Sequence, residues 1–223
     1  MVARTGDANF GPDLGPTVTF AQLSAPSTNS LGQLAFGGYV QGPGITASND
    51  QGIWVRMGNI TSAVIREGLV SPNLGSGINF TSFTFPVINN VGQITFAAFL
   101  SGPGVTSANN QGLWVWSAGE LVKIARMGDL FDLAPSPSVT DLRVITGIDY
   151  WGGQSDIAGS SGEDGRRQYF NDQGALVFRL RFSDGSSGIF TALVPEPAAH
   201  ALAITAAIFL ARTISNRNRR TLG

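Results

Sequence analysis

No cysteine occurs among the 223 residues, which excludes a disulfide framework, thiol catalysis and cysteine-ligated zinc. Export stays open, because a domain with a sizeable core needs no covalent staples. Histidine occurs once, as His200. A serine–histidine triad or a histidine-ligated metal centre in the body is therefore excluded. Charged residues make up 13% of the chain, about half the usual share. Residues 1–7 lack a basic stretch followed by an apolar run, so they do not read as a secretion signal. The net charge of −1 is unevenly placed, with Arg212, Arg217, Arg219 and Arg220 close to the C-terminus. Without residues 194–223, 10 basic and 14 acidic residues remain, a net of −4. A mildly acidic body argues against a nucleic-acid partner.

What is abundant is turn-forming residues, Gly 29 and Pro 11, as in all-β chains. One stretch occurs twice. Leu31-Gly-Gln-Leu-Ala-Phe36, Gln41-Gly-Pro-Gly44, Asn49-Asp-Gln-Gly-Ile-Trp54 and Arg66-Glu-Gly68 return as Val91-Gly-Gln-Ile-Thr-Phe96, Ser101-Gly-Pro-Gly104, Asn109-Asn-Gln-Gly-Leu-Trp114 and Arg126-Met-Gly128. A fixed offset held through several turns means one supersecondary unit repeated in space. Residues 3–7 resemble the end of the same unit, so residues 1–16 read as the tail of a preceding repeat and its connector. Residues 17–77 and 78–138 are two full repeats. Residues 139–193 are a third, with a Gly-, Ser- and acid-rich insertion at 149–167 and no fourth strand. The expectation is that the chain opens inside a repeat array.

Each unit reads as four short antiparallel strands rich in Val, Ile, Phe and Trp. Unit two gives strands at 78–87, 93–100, 113–117 and 120–126, with turns at Asn89-Asn-Val-Gly92 and Ala118-Gly119. Four strands in about 60 residues is the size of a β-propeller blade. The expected fold is all-β, tandem four-stranded antiparallel repeats forming an incomplete β-propeller-like array. The tail adds one helix. Residues 198–211 are apolar apart from His200 and Thr205. At 1.5 Å per residue they span roughly 21 Å, short of a bilayer core of about 30 Å. Snorkelling of Arg212 brings the segment near the lower limit for spanning. The arginines after it predict a cytoplasmic C-terminus and a body outside the cytoplasm.

Pro195-Glu196-Pro197, a short hydrophobic helix and the cluster Arg217, Arg219 and Arg220 resemble, in that order, the PEP-CTERM sorting signal of Gram-negative bacteria. The resemblance implies recognition by an exosortase, a membrane protease-transpeptidase. It also implies transient anchoring in the inner membrane, then a cell-surface or extracellular fate. The body resembles the tandem repeat Asn-x-x-Gly-x-x-x-Phe, Gly-x-Gly, Asn-x-x-Gly-Leu-Trp of planctomycete-type surface proteins carrying such anchors. On this reading Asn90 lies one position off the first spacing and Ser30 stands where Asn is expected. That resemblance implies no catalytic activity. The alternatives are a carbohydrate-binding module and a fragment of a larger secreted hydrolase.

Candidate sites divide between structure and function. Trp54 and Trp114 recur in register, which suits packing between neighbouring units. Either could also stack on a glycan. Trp116 and Trp151 do not recur and are candidates for an exposed aromatic contact. Asn49-Asp-Gln-Gly52, Asn109-Asn-Gln-Gly112 and Asn171-Asp-Gln-Gly174 could offer oxygens to Ca²⁺, but turn formation accounts for all three. Arg4, Arg66 and Arg126 recur beside Asp7 or Asp129, suggesting inter-unit ion pairs. Asp149, Asp156, Glu163 and Asp164 could supply a glycosidase pair, yet nothing places them on a rigid element. No cofactor, metal or catalytic residue is expected.

Overall fold

A computed structural model describes residues 3–8, 14–134, 138–150 and 169–194. They form thirteen strands and no helix. The strands are β1 (Thr19–Thr28), β2 (Leu34–Gln41), β3 (Gln51–Met57), β4 (Ile60–Arg66), β5 (Asn79–Phe83), β6 (Val87–Ile88) and β7 (Ile94–Ser101). They continue as β8 (Gln111–Ser117), β9 (Glu120–Arg126), β10 (Leu130–Asp132), β11 (Leu142–Asp149), β12 (Ala175–Phe182) and β13 (Ser187–Leu193). Three antiparallel sheets result, ordered β1-β2-β3-β4, then β5-β7-β8-β9 with β6 also on β7, then β10-β11-β12-β13. No closed propeller is formed among the described residues.

The sheets repeat residue by residue. Phe36 faces Trp54 and Gly38 faces Gly52 across β2 and β3. Phe96 faces Trp114 and Ala98 faces Gly112 across β7 and β8. Phe178 faces Phe190 and Leu180 faces Gly188 across β12 and β13. In each sheet the glycine two residues before the aromatic leaves room for its ring. A Cβ on Gly52, Gly112 or Gly188 would meet that ring at 2.7, 2.4 or 2.8 Å. Phe190 therefore fills the slot held by Trp54 and Trp114.

The units are also sewn together by backbone. Gly6 N donates to Phe20 O, Gly68 N to Phe80 O and Gly128 N to Ile145 O. The end of each unit thus adds an edge to the first strand of the next sheet. In the third sheet this edge is β10, which lies inside the segment read from sequence as the end of repeat two. Of the predicted first strand at 78–87, only parts are strand. Thr84 interrupts it by taking Ala97 O with its N–H and Oγ1, while its Oγ1 accepts from Ala97 N.

The turn between the first and second strands carries the main inter-sheet link. Asn29, Asn89 and Asn171 each sit three residues before a glycine with φ of +70, +83 or +73°. Only glycine enters that region without strain. Each asparagine Oδ1 accepts backbone N–H groups of its own turn, from Leu31 and Gln33, from Gln93, and from Gln173 and Ala175. Each of the first two then reaches into the next sheet. Asn29 Nδ2 donates to Asn89 O at 2.8 Å, and Asn89 Nδ2 donates to Asn171 O at 2.9 Å. A second rung runs beside it. Ser30 N and Oγ donate to Asn90 Oδ1, and Asn90 N and Nδ2 donate to the Asp172 carboxylate.

This corrects two readings. The asparagines in phase with the following glycine and phenylalanine are Asn29 and Asn89, so no residue is displaced at Ser30 or Asn90. Asn171 belongs with them, not with Asn49 and Asn109. The offset changes from 60 to 82 because residues are inserted before the third turn, and Asn171-Asp-Gln-Gly174 has the same letters as Asn49-Asp-Gln-Gly52 in a different loop.

Apolar burial follows the stacking. One layer holds Val18, Phe20, Phe36, Val40 and Trp54 on the first sheet. The next joins Ala35, Ile53, Val55 and Ile65 to Phe80, Phe96, Leu100 and Trp114 of the second sheet. The last joins Leu113, Val115 and Ala125 to Ile145, Phe178, Phe182 and Phe190 of the third. The second sheet is thus buried on both faces, which explains why β8 reads as an almost unbroken apolar run.

Candidate functional site

A cleft of about 260 Å³ lies where the first sheet meets the second. β1 supplies Gln22 and Ser24, β2 supplies Tyr39, β3 supplies Gln51, and the stretch after β5 supplies Thr84 and Phe85. The floor is open because Gly37 and Gly38 stand where the second sheet has Ala97 and Ala98. A Cβ on Gly37 would meet Ser24 Oγ at 2.6 Å, and one on Gly38 would meet Gln22 O at 2.8 Å. Ser24 Oγ is buried without a hydrogen-bond partner. Tyr39 and Phe85 are both exposed. An unpaired hydroxyl beside two exposed rings can hold a polar ligand with a flat apolar face.

Gln51 closes the back of the cleft. Its Nε2 donates to Phe83 O at 3.4 Å and its Oε1 accepts from Phe83 N at 3.1 Å, so the side chain imitates a strand partner. Behind it lies Glu67, buried in the turn that follows β4. Gln51 N donates to Glu67 Oε2 at 3.2 Å. Burial pushes the Glu67 carboxyl up to about 7, and the neighbouring Asp50 adds to the rise. A larger cavity of about 350 Å³ lies between β9 and β10, walled by Ile124, Phe131 and Ile145. Of its charged groups, Lys123 and Asp129 are paired at 2.7 Å and Asp132 accepts from Ala134 N and Asp141 N, so it offers less to a ligand.

The sequence-predicted candidates fall in other places. Trp54 and Trp114 are fully buried, in the first and middle apolar layers respectively. Phe20 meets Trp54 edge-on at 5.0 Å, and Phe80 meets Trp114 edge-on at 5.2 Å. Neither indole can stack on a glycan. Trp116 is partly buried against the middle layer and is no exposed aromatic. Arg66 donates to Asn49 O and Arg126 to Asn109 O, each at 2.8 Å within its own sheet. These bonds tie each loop carbonyl to the edge strand of its own sheet. Arg4 does pair with Asp7, whereas Asp129 pairs with Lys123.

Asn49 and Asn109 spend their side chains on their own loops, accepting from Thr46 N and Thr106 N and donating to Gly44 O and Gly104 O. Among the described residues no group of three or more His, Asp or Glu is placed to hold a metal ion. Asp149 ends β11 and pairs with Arg179 at 2.7 Å and Arg181 at 3.2 Å. Trp151, Asp156, Glu163, Asp164, Pro195, Glu196, Pro197, Arg217, Arg219 and Arg220 lie outside the described residues. Among the described residues no helix is long and apolar enough to cross a membrane.

Glu67 makes stability depend on pH. Its folded value of about 7 exceeds its unfolded value near 4.5, so the folded state holds more protons between those limits. The Glu67 contribution to stability is therefore fully present below its unfolded value and is lost as pH rises through 7. Melting temperature should decline between about pH 5 and pH 8. Glu67→Gln should flatten that slope and stabilise the protein at pH 8 by on the order of 1 kcal/mol, allowing for solvent screening. Thermal denaturation across pH checks both; an unchanged slope in the variant would assign the dependence elsewhere.

No curated protein and no solved structure matches the chain. The family model described as a family of unknown function, DUF7453, matches residues 1–201, most of the 223, and the chain belongs to that family.

Proposed function

We propose that the chain is a noncatalytic exported cell-surface or matrix protein. Its body is a propeller-like scaffold, incomplete in this chain, and residues 194–223 are its PEP-CTERM-type sorting helix. The partners on this reading are an exosortase and the inner membrane. The observation that carries it is the order of Pro195-Glu196-Pro197, an apolar run and an arginine cluster, downstream of a body whose polar side chains serve its own fold. Asn29 and Asn89 are spent on inter-sheet rungs. Arg66 and Arg126 are spent on loop carbonyls.

The basic cluster sets orientation, since arginines flanking an apolar segment stay on the cytoplasmic side. Replacing Arg217, Arg219 and Arg220 with Ala should leave an uncleaved, cell-retained precursor in a host that has the sorting enzyme. Immunoblots of fractionated cells read this directly. Normal cleavage and release of the triple variant would sink the sorting role.

A second reading is favoured by the cleft itself. Tyr39, Phe85 and the unpaired Ser24 hydroxyl suit a sugar, whose faces are apolar and whose edges carry hydroxyls. Here the body would be a carbohydrate-binding module. Removing an aromatic platform costs about 1 kcal/mol. Tyr39→Ala should weaken binding of a cell-surface oligosaccharide about five-fold, read by calorimetry on the folded variant. Equal affinity for Tyr39→Ala and the parent would remove the cleft from consideration.

A further inference from the structure

The outward face of the third sheet is left open although its counterparts are covered. On the first sheet Ile53 and Val55 lie under the second sheet, and on the second sheet Leu113 and Val115 lie under the third. All four are at most 1% exposed. Register places Ile189 and Leu193 on the matching face of the third sheet, because Phe190 takes the slot of Trp54 and Trp114. Ile189 is 61% exposed and Leu193 is 70% exposed. Leu130, Leu142 and Val144 on β10 and β11 are exposed too, but so is Val70, the counterpart of Leu130 on the covered second sheet, so the distinction rests on Ile189 and Leu193. Leu130 pairs with Val144 and so shares its face. On the same face Thr191 takes the place of Val55 and Val115, and Arg179 and Arg181 of β12 lie beside Ile189, paired with Asp149. The apolar surface is therefore the β13 edge, where exposed side chains with covered counterparts mark an interaction surface.

What fits that face is set by what covers the other two. Each is covered by a sheet presenting a first-strand aromatic or Ile and a Phe–Trp or Phe–Phe pair, with an asparagine turn at one end. The first sheet of the chain is built in that way, with Phe20, Phe36, Trp54 and Asn29. Its turn end is also less covered than its equivalents. Gly32 is exposed and Leu34 half-buried, whereas Gly92 and Ile94 are buried. Met57 and Gln33 of the first sheet both approach Gly92; Leu193 is the counterpart of Met57, and Ala175 stands where the first sheet has Gln33.

We propose that a second copy of this chain docks head to tail, its first sheet on the third sheet of its neighbour. Leu193 then covers Gly32 and Leu34 of the incoming copy. Asn171 Nδ2 donates to the incoming Asn29 O, and Asp172 lies against the incoming Ser30, continuing both rungs. The interface is heterologous, so repeated addition closes a ring or extends a filament. It is independent of the sorting and sugar readings.

The absence of cysteine makes the test simple. Ser30→Cys and Asp172→Cys variants of the full chain are prepared separately, mixed at micromolar concentration and mildly oxidised. Within one chain Ser30 and Asp172 both contact Asn90 from opposite sides, so the mixture reports on contacts between chains. The expected result is a disulfide heterodimer in the mixture and none in either variant alone. Adding Ile189→Lys and Leu193→Lys to the Asp172→Cys chain should weaken association about a hundred-fold, since two apolar side chains leave the interface. No heterodimer, a heterodimer indifferent to the lysines, or an Asp172→Cys homodimer would each overturn the proposal. The last would mean face-to-face pairing of third sheets. Sedimentation of the unsubstituted chain against the double-lysine variant gives the same answer should Asp172→Cys loosen the inner rung. Assembly lost with the lysines supports docking, and a monomer in both refutes it.

Discussion

An asparagine amide that serves two sheets at once governs this structure. In Asn89 the Oδ1 holds its own turn by accepting Gln93 N, while the Nδ2 reaches Gln93 Oε1 and the carbonyl of Asn171. Asn89 and Gln93 are both buried. In that setting every donor left unpaired costs about 1–3 kcal/mol. The amide therefore satisfies the turn and fixes the spacing to the next sheet with the same atoms. A hydrophobic side chain could fill the volume but would not set the register.

The apolar layers act within that frame. Stacking sheets at a spacing set by the rungs puts the Phe–Trp face of one unit over the Ile–Val face of the previous one. Glycines beside each aromatic slot let the rings lie flat against the strand. Backbone bonds from the end of each unit to the first strand of the next add a third constraint. Because all three recur, each sheet carries one face ready for a predecessor and one for a successor. The exposed Ile189 and Leu193 are the consequence at one end of the stack.

Much of this was legible in the residues. The shared offset of 60 gave the all-β class, the strand order within a unit and the slots of Trp54 and Trp114. The inter-sheet links were less legible. Asn29 and Asn89 stand beside Ser30 and Asn90, and without three dimensions the phase of the asparagine reads one residue late. Asn171-Asp-Gln-Gly174 shares its letters with Asn49-Asp-Gln-Gly52 but occupies a different loop, since the third unit has lost that register. Arg66 and Arg126 recur near acids in sequence, and the bonds each makes to the carbonyl of Asn49 or Asn109 show only in three dimensions. The cleft leaves no contiguous trace in the sequence, because its walls come from β1, β2, β3 and the stretch after β5. One signal was present: Gly37 and Gly38 replace Ala97 and Ala98 between otherwise matched copies. A difference between repeats pointed to the site, whereas their likeness pointed to the scaffold.

The decisive measurement is the stability of Asn89→Ala beside Asn109→Ala, by denaturant unfolding. Both remove an asparagine from a turn of the second unit, but Asn109 is only half-buried and bonds its own loop and edge strand. If the rung governs the fold, Asn89→Ala should cost about 3 kcal/mol or more, by breaking several bonds and stranding buried Gln93. Asn109→Ala should cost about 1 kcal/mol or less. Equal losses in the two variants would contradict the account and return the sheet spacing to apolar packing alone.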